Sequence, residues 1–76
     1  MPHVIRCFDK IGGTLVGEVI LKDIALDKLQ ELFHMPPEDP MYEMFPIHEK
    51  EAKFFYDLAK IELNISKYNC YLDYDA

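Results

Sequence analysis

Three histidines and two cysteines are the side chains of this sequence best equipped for metal or redox chemistry. Their spacing argues against a metal. His3, His34 and His48 fall on different predicted elements, and there is no Cys-x-x-Cys or His-x-x-x-His pair to hold two ligands of a tetrahedral zinc site at once. His34, at the end of a helical pattern, suits the last free carbonyls, and His48, near a helix start, suits solvent. Nucleophilic catalysis needs a hydroxyl or thiol beside a base, and the chain has one serine, Ser66, and one threonine, Thr14, neither inside a signature. Gly12-Gly13 lacks the spacing of a phosphate-binding loop and is explained by a hairpin turn. Carboxylates are abundant, but abundance in an acidic chain is unspecific, and a domain this small has little room for an enclosed pocket. The expectation is a protein that is not an enzyme, with no cofactor and no metal.

Cys7 and Cys70 sit near opposite ends of the chain, each on the apolar side of a predicted strand, and nothing resembling a signal peptide precedes Cys7. The expected state is a pair of buried, reduced thiols in a cytoplasmic protein. A disulfide stays open if the first and last strands are neighbours. Fourteen Asp and Glu against eight Lys and Arg give a formal net charge of -6. That balance repels nucleic acid and anionic membrane surfaces and favours cationic partners. No apolar run approaches the roughly 18 to 20 residues of a membrane span, so no membrane partner is expected.

The chemistry that remains is recognition. Glu38, Asp39, Tyr42 and Glu43 surround a proline-rich stretch, while Tyr71, Asp73 and Asp75 alternate along the C-terminal decapeptide. Tyrosine beside carboxylates combines rigid contact area with electrostatic steering. These residues are the candidate partner-binding surface, and the partner they fit is a basic protein.

Seventy-six residues, half of them hydrophobic and ten of them Phe or Tyr, are expected to make a single domain with one core. His3 to Asp9 is a run of β-formers, Ile11-Gly12-Gly13-Thr14 a turn, and Leu15 to Leu21 the second arm of a hairpin, with Gly17 suggesting a bulge or a close backbone approach. The nearly continuous apolar run of that arm suggests a central strand. Asp23 is a plausible cap for a helix over Ile24 to His34, whose apolar face carries Leu26, Leu29, Leu32 and Phe33. Pro36, Pro37 and Pro40 then make a stiff acidic loop. Met41 to Phe45 reads as a short strand or an extended link. Ile47 to Ile61 is helical again, with Ile47, Phe54, Leu58 and Ile61 on one stripe and Ala52, Phe55 and Ala59 beside it. Ile61 to Ser66 alternates briefly. Lys67 to Ala76 alternates throughout, which predicts a strand with Cys70, Leu72 and Tyr74 inward and Asn69, Tyr71, Asp73 and Asp75 outward. The fold class that follows is α+β: a small, mainly antiparallel sheet, made of the N-terminal hairpin and the C-terminal strand, with two helices packed on one face. The other face is left bare, which makes it either polar or an interface, so a homodimer through that face or an edge strand is a second expectation.

Phe45-Pro46-Ile47, Glu51-Ala52, Phe54-Phe55, Ile61, Lys67-Tyr68 and Tyr71-Leu72 form a pattern that resembles a family of small, uncharacterised bacterial proteins. Some of these look like immunity proteins of polymorphic-toxin or contact-dependent growth inhibition systems. The resemblance covers the C-terminal half and assigns no residue a role. It implies a cytoplasmic toxin inhibitor acting by protein–protein interaction on a cognate toxin domain, a nuclease among the candidates.

Overall fold

The β-branched and aromatic runs become the long strands of a four-stranded antiparallel sheet. In the computed structural model, which describes residues 3–22 and 24–74, the elements in chain order are β1 (His3–Asp9), β2 (Leu15–Leu21), α1 (Leu26–Leu32), β3 (Phe45–Pro46), α2 (Glu49–Ala59) and β4 (Tyr68–Tyr74). The sheet order is β2-β1-β4-β3. β1 pairs with β4 from His3 opposite Tyr74 to Asp9 opposite Tyr68, so the two ends of the chain form the centre of the sheet.

β2 is therefore an edge strand, not the central one its apolar run suggests. β1 offers two hydrogen-bonding edges, and β4 occupies the second one along its whole length. The pairing of β1 with β2 slips where Cys7 faces Gly17 but Phe8 faces Leu15, which leaves Val16 as the extra residue of a bulge. Such a bulge bends an exposed edge and hinders a further strand from adding to it. The hairpin turn is held by Asp9, whose Oδ1 accepts the Ile11 N–H at 2.9 Å and whose carbonyl accepts the Gly13 N–H at 2.8 Å. Gly13 takes the positive φ of 69° that this turn needs.

Side chains alternate across the sheet, so Ile5 and Cys7 of β1 share a face with Leu72 and Cys70 of β4. That face, with Leu21, is covered by Leu29 and Leu32 of α1, Phe55 of α2, and the linker residues Met41 and Ile47. This is an α+β fold with its helical layer on one side. On the other face Val4 is also buried, between its cross-strand neighbours Ile20 and Asp73.

α1 is shorter than its sequence pattern. It starts after Ala25, and the Asp23 cap lies outside the described residues. It ends in a Schellman motif: the His34 N–H donates to the Glu31 carbonyl, the Met35 N–H to the Gln30 carbonyl, and His34 is left-handed with φ of 58°. α2 starts at a capping box in which the His48 N–H donates to Glu51 Oε1 at 2.8 Å. Left-handed Lys60 closes it. Its buried stripe centres on Phe55, with no exposed surface, while Leu58 is 53% exposed. A helical side chain leans toward the N-terminus, so Leu58 would be sheltered by the next turn, and α2 stops at Ala59 before making one.

Two short segments differ from their alternation. β3 is a strand of only two residues, in which Pro46 falls at the position whose backbone points away from β4, while the next residue, Ile47, donates its N–H to the Cys70 carbonyl at 2.9 Å. An edge position is where a residue without an N–H is tolerated. Ile61, Leu63 and Ile65 are half-buried and alternate with exposed Glu62 and Asn64, yet they form no ladder and pack directly on the core.

Candidate functional site

The loop between α1 and β3 is tied down by a turn, in which the Asp39 N–H donates to the Pro36 carbonyl at 3.0 Å, and by side-chain hydrogen bonds. Buried Gln30 donates through Nε2 to the carbonyls of Pro37, at 3.0 Å, and Asp39, at 2.7 Å, which fastens the loop to α1. Asp39 Oδ1 accepts the Met41 N–H at 2.8 Å, and Met41, left-handed with φ of 57°, drives its side chain into the core. His3 Nε2 bonds the Met41 carbonyl at 2.8 Å, tying the loop to β1. Asp39 is thus a half-buried structural residue. Glu38 and Glu43 are exposed and belong to none of the ion pairs formed among the described residues.

Tyr42 lies between these carboxylates in the chain. Its ring lies 4.4 Å from that of Tyr74, which packs edge-on against His3 at 5.0 Å, yet Tyr42 remains 61% exposed. Burial pushes the Tyr74 phenol up, and Tyr42 adds to the shift through its charge and a hydrogen bond. Beside the Tyr42–Tyr74 pair is a hollow of about 490 Å³, also lined by His3, Leu21, Lys22, Ile24, Leu26 and Pro40, so its wall is part apolar and part polar. A packed aromatic in the wall of an open hollow is well placed to make contact.

Tyr71 and Asp73 lie on the other side of the sheet. The Tyr71 ring meets Phe8 edge-on at 5.9 Å. Asp73 Oδ2 accepts from Arg6 Nη1 at 2.8 Å, and Arg6 Nε donates to Glu18 Oε2 at 2.6 Å. Those bonds, Glu18 first and Asp73 second, raise the guanidinium above its already high range. Asp73 therefore spends its charge within the molecule. Asp75 lies outside the described residues. The candidate residues thus separate into a loop surface beside the helical layer, with Glu38, Asp39, Tyr42 and Glu43, and a sheet surface with Tyr71 and Asp73. Sequence reasoning did not find Arg6 or Glu18, and it placed Tyr74 inward without its contact to Tyr42. The Arg6–Glu18 pair was legible in principle from hairpin alternation, but the bulge at Val16 shifts the register that a simple count from the turn would assign.

The histidines are dispersed. His34 Nε2 is 3.5 Å from Lys50 Nζ, His48 caps α2 and His3 braces the loop, and no three His, Cys, Asp or Glu residues among those described converge on a metal-sized point. Along α2 and the 61–65 segment runs a groove of about 600 Å³ lined by Glu49, Lys53, Tyr56, Glu62, Leu63 and Asn64, among others, which brings no Ser, Thr or Cys to its walls. Cys7 and Cys70 are free thiols directly opposite each other on β1 and β4. Burial first, and then the Cys7 thiol, push Cys70 up to about 12.

This arrangement predicts alkaline sensitivity. An unfolded chain releases the Cys70 proton near its ordinary value of about 8.5 and the Tyr74 proton near about 10, while the folded chain retains both. Above those values the unfolded state binds fewer protons, so stability falls as pH rises. The midpoint of thermal unfolding is expected to be insensitive to these groups below about pH 8 and to decline from there toward about pH 12. Cys70→Ala should flatten the lower part of that decline in a calorimetric pH series.

No helix among the described residues is long and apolar enough to cross a membrane. The structure defines a class: a small antiparallel sheet closed by the chain's own C-terminal strand, layered on one side by two short helices and an ordered proline loop. The chain belongs to the family of domains of unknown function DUF7683, whose model matches residues 2–73. No curated protein matches it.

Proposed function

We propose that this chain is a non-enzymatic protein-binding module, an immunity-type protein that binds a basic toxin domain in the cytoplasm and neutralises it. The observation that carries the reading is Tyr42, braced by Tyr74 yet exposed, in the wall of a hollow and lying in the chain between Glu38 and Glu43, which join no ion pair among the described residues. A braced aromatic loses little conformational freedom on binding, and free carboxylates steer a cationic partner into contact. The net charge of -6 acts in the same direction at longer range. The loop surface is the primary contact, since Asp73 on the sheet surface is already matched by Arg6.

Co-expression with a basic toxin domain encoded next to this chain should rescue growth. The variant carrying Tyr42→Ala, Glu38→Lys and Glu43→Lys should lose the rescue and bind the domain at least about tenfold more weakly in calorimetric titration. Raised salt should weaken the unmodified complex by slowing its association. Equal affinity of the triple variant and the parent would overturn the loop surface.

The bare sheet face favours a second reading, self-association, because Leu15, opposite Phe8 of the Phe8–Tyr71 pair, is 44% exposed and Ile20, opposite Val4 toward the other end of β2, is 52% exposed. Sedimentation that shows a monomer at every concentration removes it.

A further inference from the structure

The Cys7–Cys70 pair is placed for a reaction that neither binding reading uses. Two hydrogen bonds locate the backbones: the Cys70 carbonyl accepts from Ile47, toward β3, and the Asp9 N–H donates to Thr14, toward β2. Asp9 and Cys7 share the alternation of β1, so Cys7 also directs its backbone toward β2. Neither cysteine therefore directs its backbone at the other, which makes them a non-hydrogen-bonded pair of the β1–β4 ladder. At such a site the Cα atoms are about 4.5 Å apart and the side chains lie on one face at their closest. A disulfide spans Cα separations of about 4.4 to 6.8 Å, so this pair can close with little backbone movement.

Access is asymmetric. Cys70 is buried, whereas Cys7 is half-buried and lines a cleft of about 300 Å³ that opens past Val16, Gly17, Leu63 and Asn64. Gly17 is the β2 residue facing Cys7, and a side chain built there would begin in open space. The row Gly17–Cys7–Cys70 thus runs from an open position, through a reachable thiol, to an enclosed one.

We propose that Cys7 is a thiol-modification site resolved by Cys70, the two forming a reversible cross-strand disulfide by exchange with a small-molecule disulfide such as oxidised glutathione. The Cys7 thiolate attacks one sulfur of the small disulfide, breaking its S–S bond, forming a mixed disulfide and releasing one glutathione thiolate. Cys70 then attacks the Cys7 sulfur, and its proton leaves with the second glutathione, which departs as the thiol. Two protein thiols lose two protons and two electrons, and the small disulfide is reduced to two thiols.

The test treats the reduced full chain with oxidised glutathione at pH 8, quenches with acid, alkylates in denaturant and measures intact mass. The expected product is a monomer lighter by two hydrogens, without alkylatable thiols, restored by dithiothreitol and unfolding at a temperature higher by on the order of 10 °C. In denaturant, where the cysteines are separated by more than sixty residues of flexible chain, glutathione adducts should accumulate instead. Cys70→Ser should trap the adduct on Cys7, and Cys7→Ser should remain unmodified under native conditions. Two alkylatable thiols in the treated native protein, a persistent glutathione adduct on the unmodified sequence, or a disulfide-linked dimer would each overturn the proposal. The result with the unmodified sequence decides even if a variant fails to fold.

Discussion

Phe55→Ala is expected to destabilise the protein by about 3 to 5 kcal/mol, while Leu58→Ala, three residues further along the same helix, changes stability by no more than about 0.5 kcal/mol. Phe55 is fully buried at the junction of α2 and the sheet, so its removal costs both the transfer of a large aromatic from water and the cavity left behind. Leu58 is more than half exposed, and truncating it removes little buried surface. A domain of this length has a total stability of roughly 4 to 11 kcal/mol, so the Phe55 variant loses a large share of it. Urea unfolding followed by far-ultraviolet circular dichroism separates the two variants. Similar midpoints for both would show that α2 is rotated about its axis relative to the stripe described above.

Truncation after Asn69 is expected to abolish folding rather than trim a tail. It removes Cys70 and Leu72, which are core residues, most of the partner strand of β1, and the positions to which Phe45, Pro46 and Ile47 pair. What remains is one hairpin with two short helices, and an isolated hairpin is marginal in water. The truncated chain should give an unfolded spectrum and rapid proteolysis. Leu72→Ala gives a graded version, with an expected loss of about 2 to 5 kcal/mol in denaturant titration. A truncated chain that still unfolds cooperatively would mean that β4 is dispensable, contrary to its central position.

Both outcomes bear on the recognition surface. β4 presents Leu72 and Cys70 to the core and Tyr71 and Asp73 to the opposite face, so binding studies on this strand require point changes rather than deletions. The loop carrying Tyr42 is a more independent probe. Its exposed residues Glu38, Tyr42 and Glu43 form no part of the buried core, whereas Asp39 and Gln30 hold its shape and are unsuitable for a binding test.

The two N-terminal strands, the C-terminal strand and the two helices were legible in the sequence because each depends on local periodicity, and period-two and period-3.6 burial patterns survive whatever they pack against. The inward set of β4 followed from the same alternation, while Gly17, read as a bulge or a close backbone approach, sits next to the bulge at Val16. The helix ends were less legible, since the Schellman turn at His34 and the left-handed Lys60 place non-glycine residues where glycine would be the usual signal. The candidate site was legible only as a set of residue types. Composition showed an acidic, tyrosine-bearing chain, but not that Tyr42 rests on Tyr74, that Asp73 is matched by Arg6, or that Asp39 is a structural hydrogen-bond acceptor.

Local pattern, net charge and the pairing of apolar with polar positions are properties of neighbouring residues, and the sequence by itself determined these. Which strand became central, which carboxylates stayed free and whether two cysteines near opposite ends would meet were decided only by the tertiary structure. Each of those depends on β4 returning to the open edge of β1, a contact between residues more than sixty positions apart that no window of sequence contains.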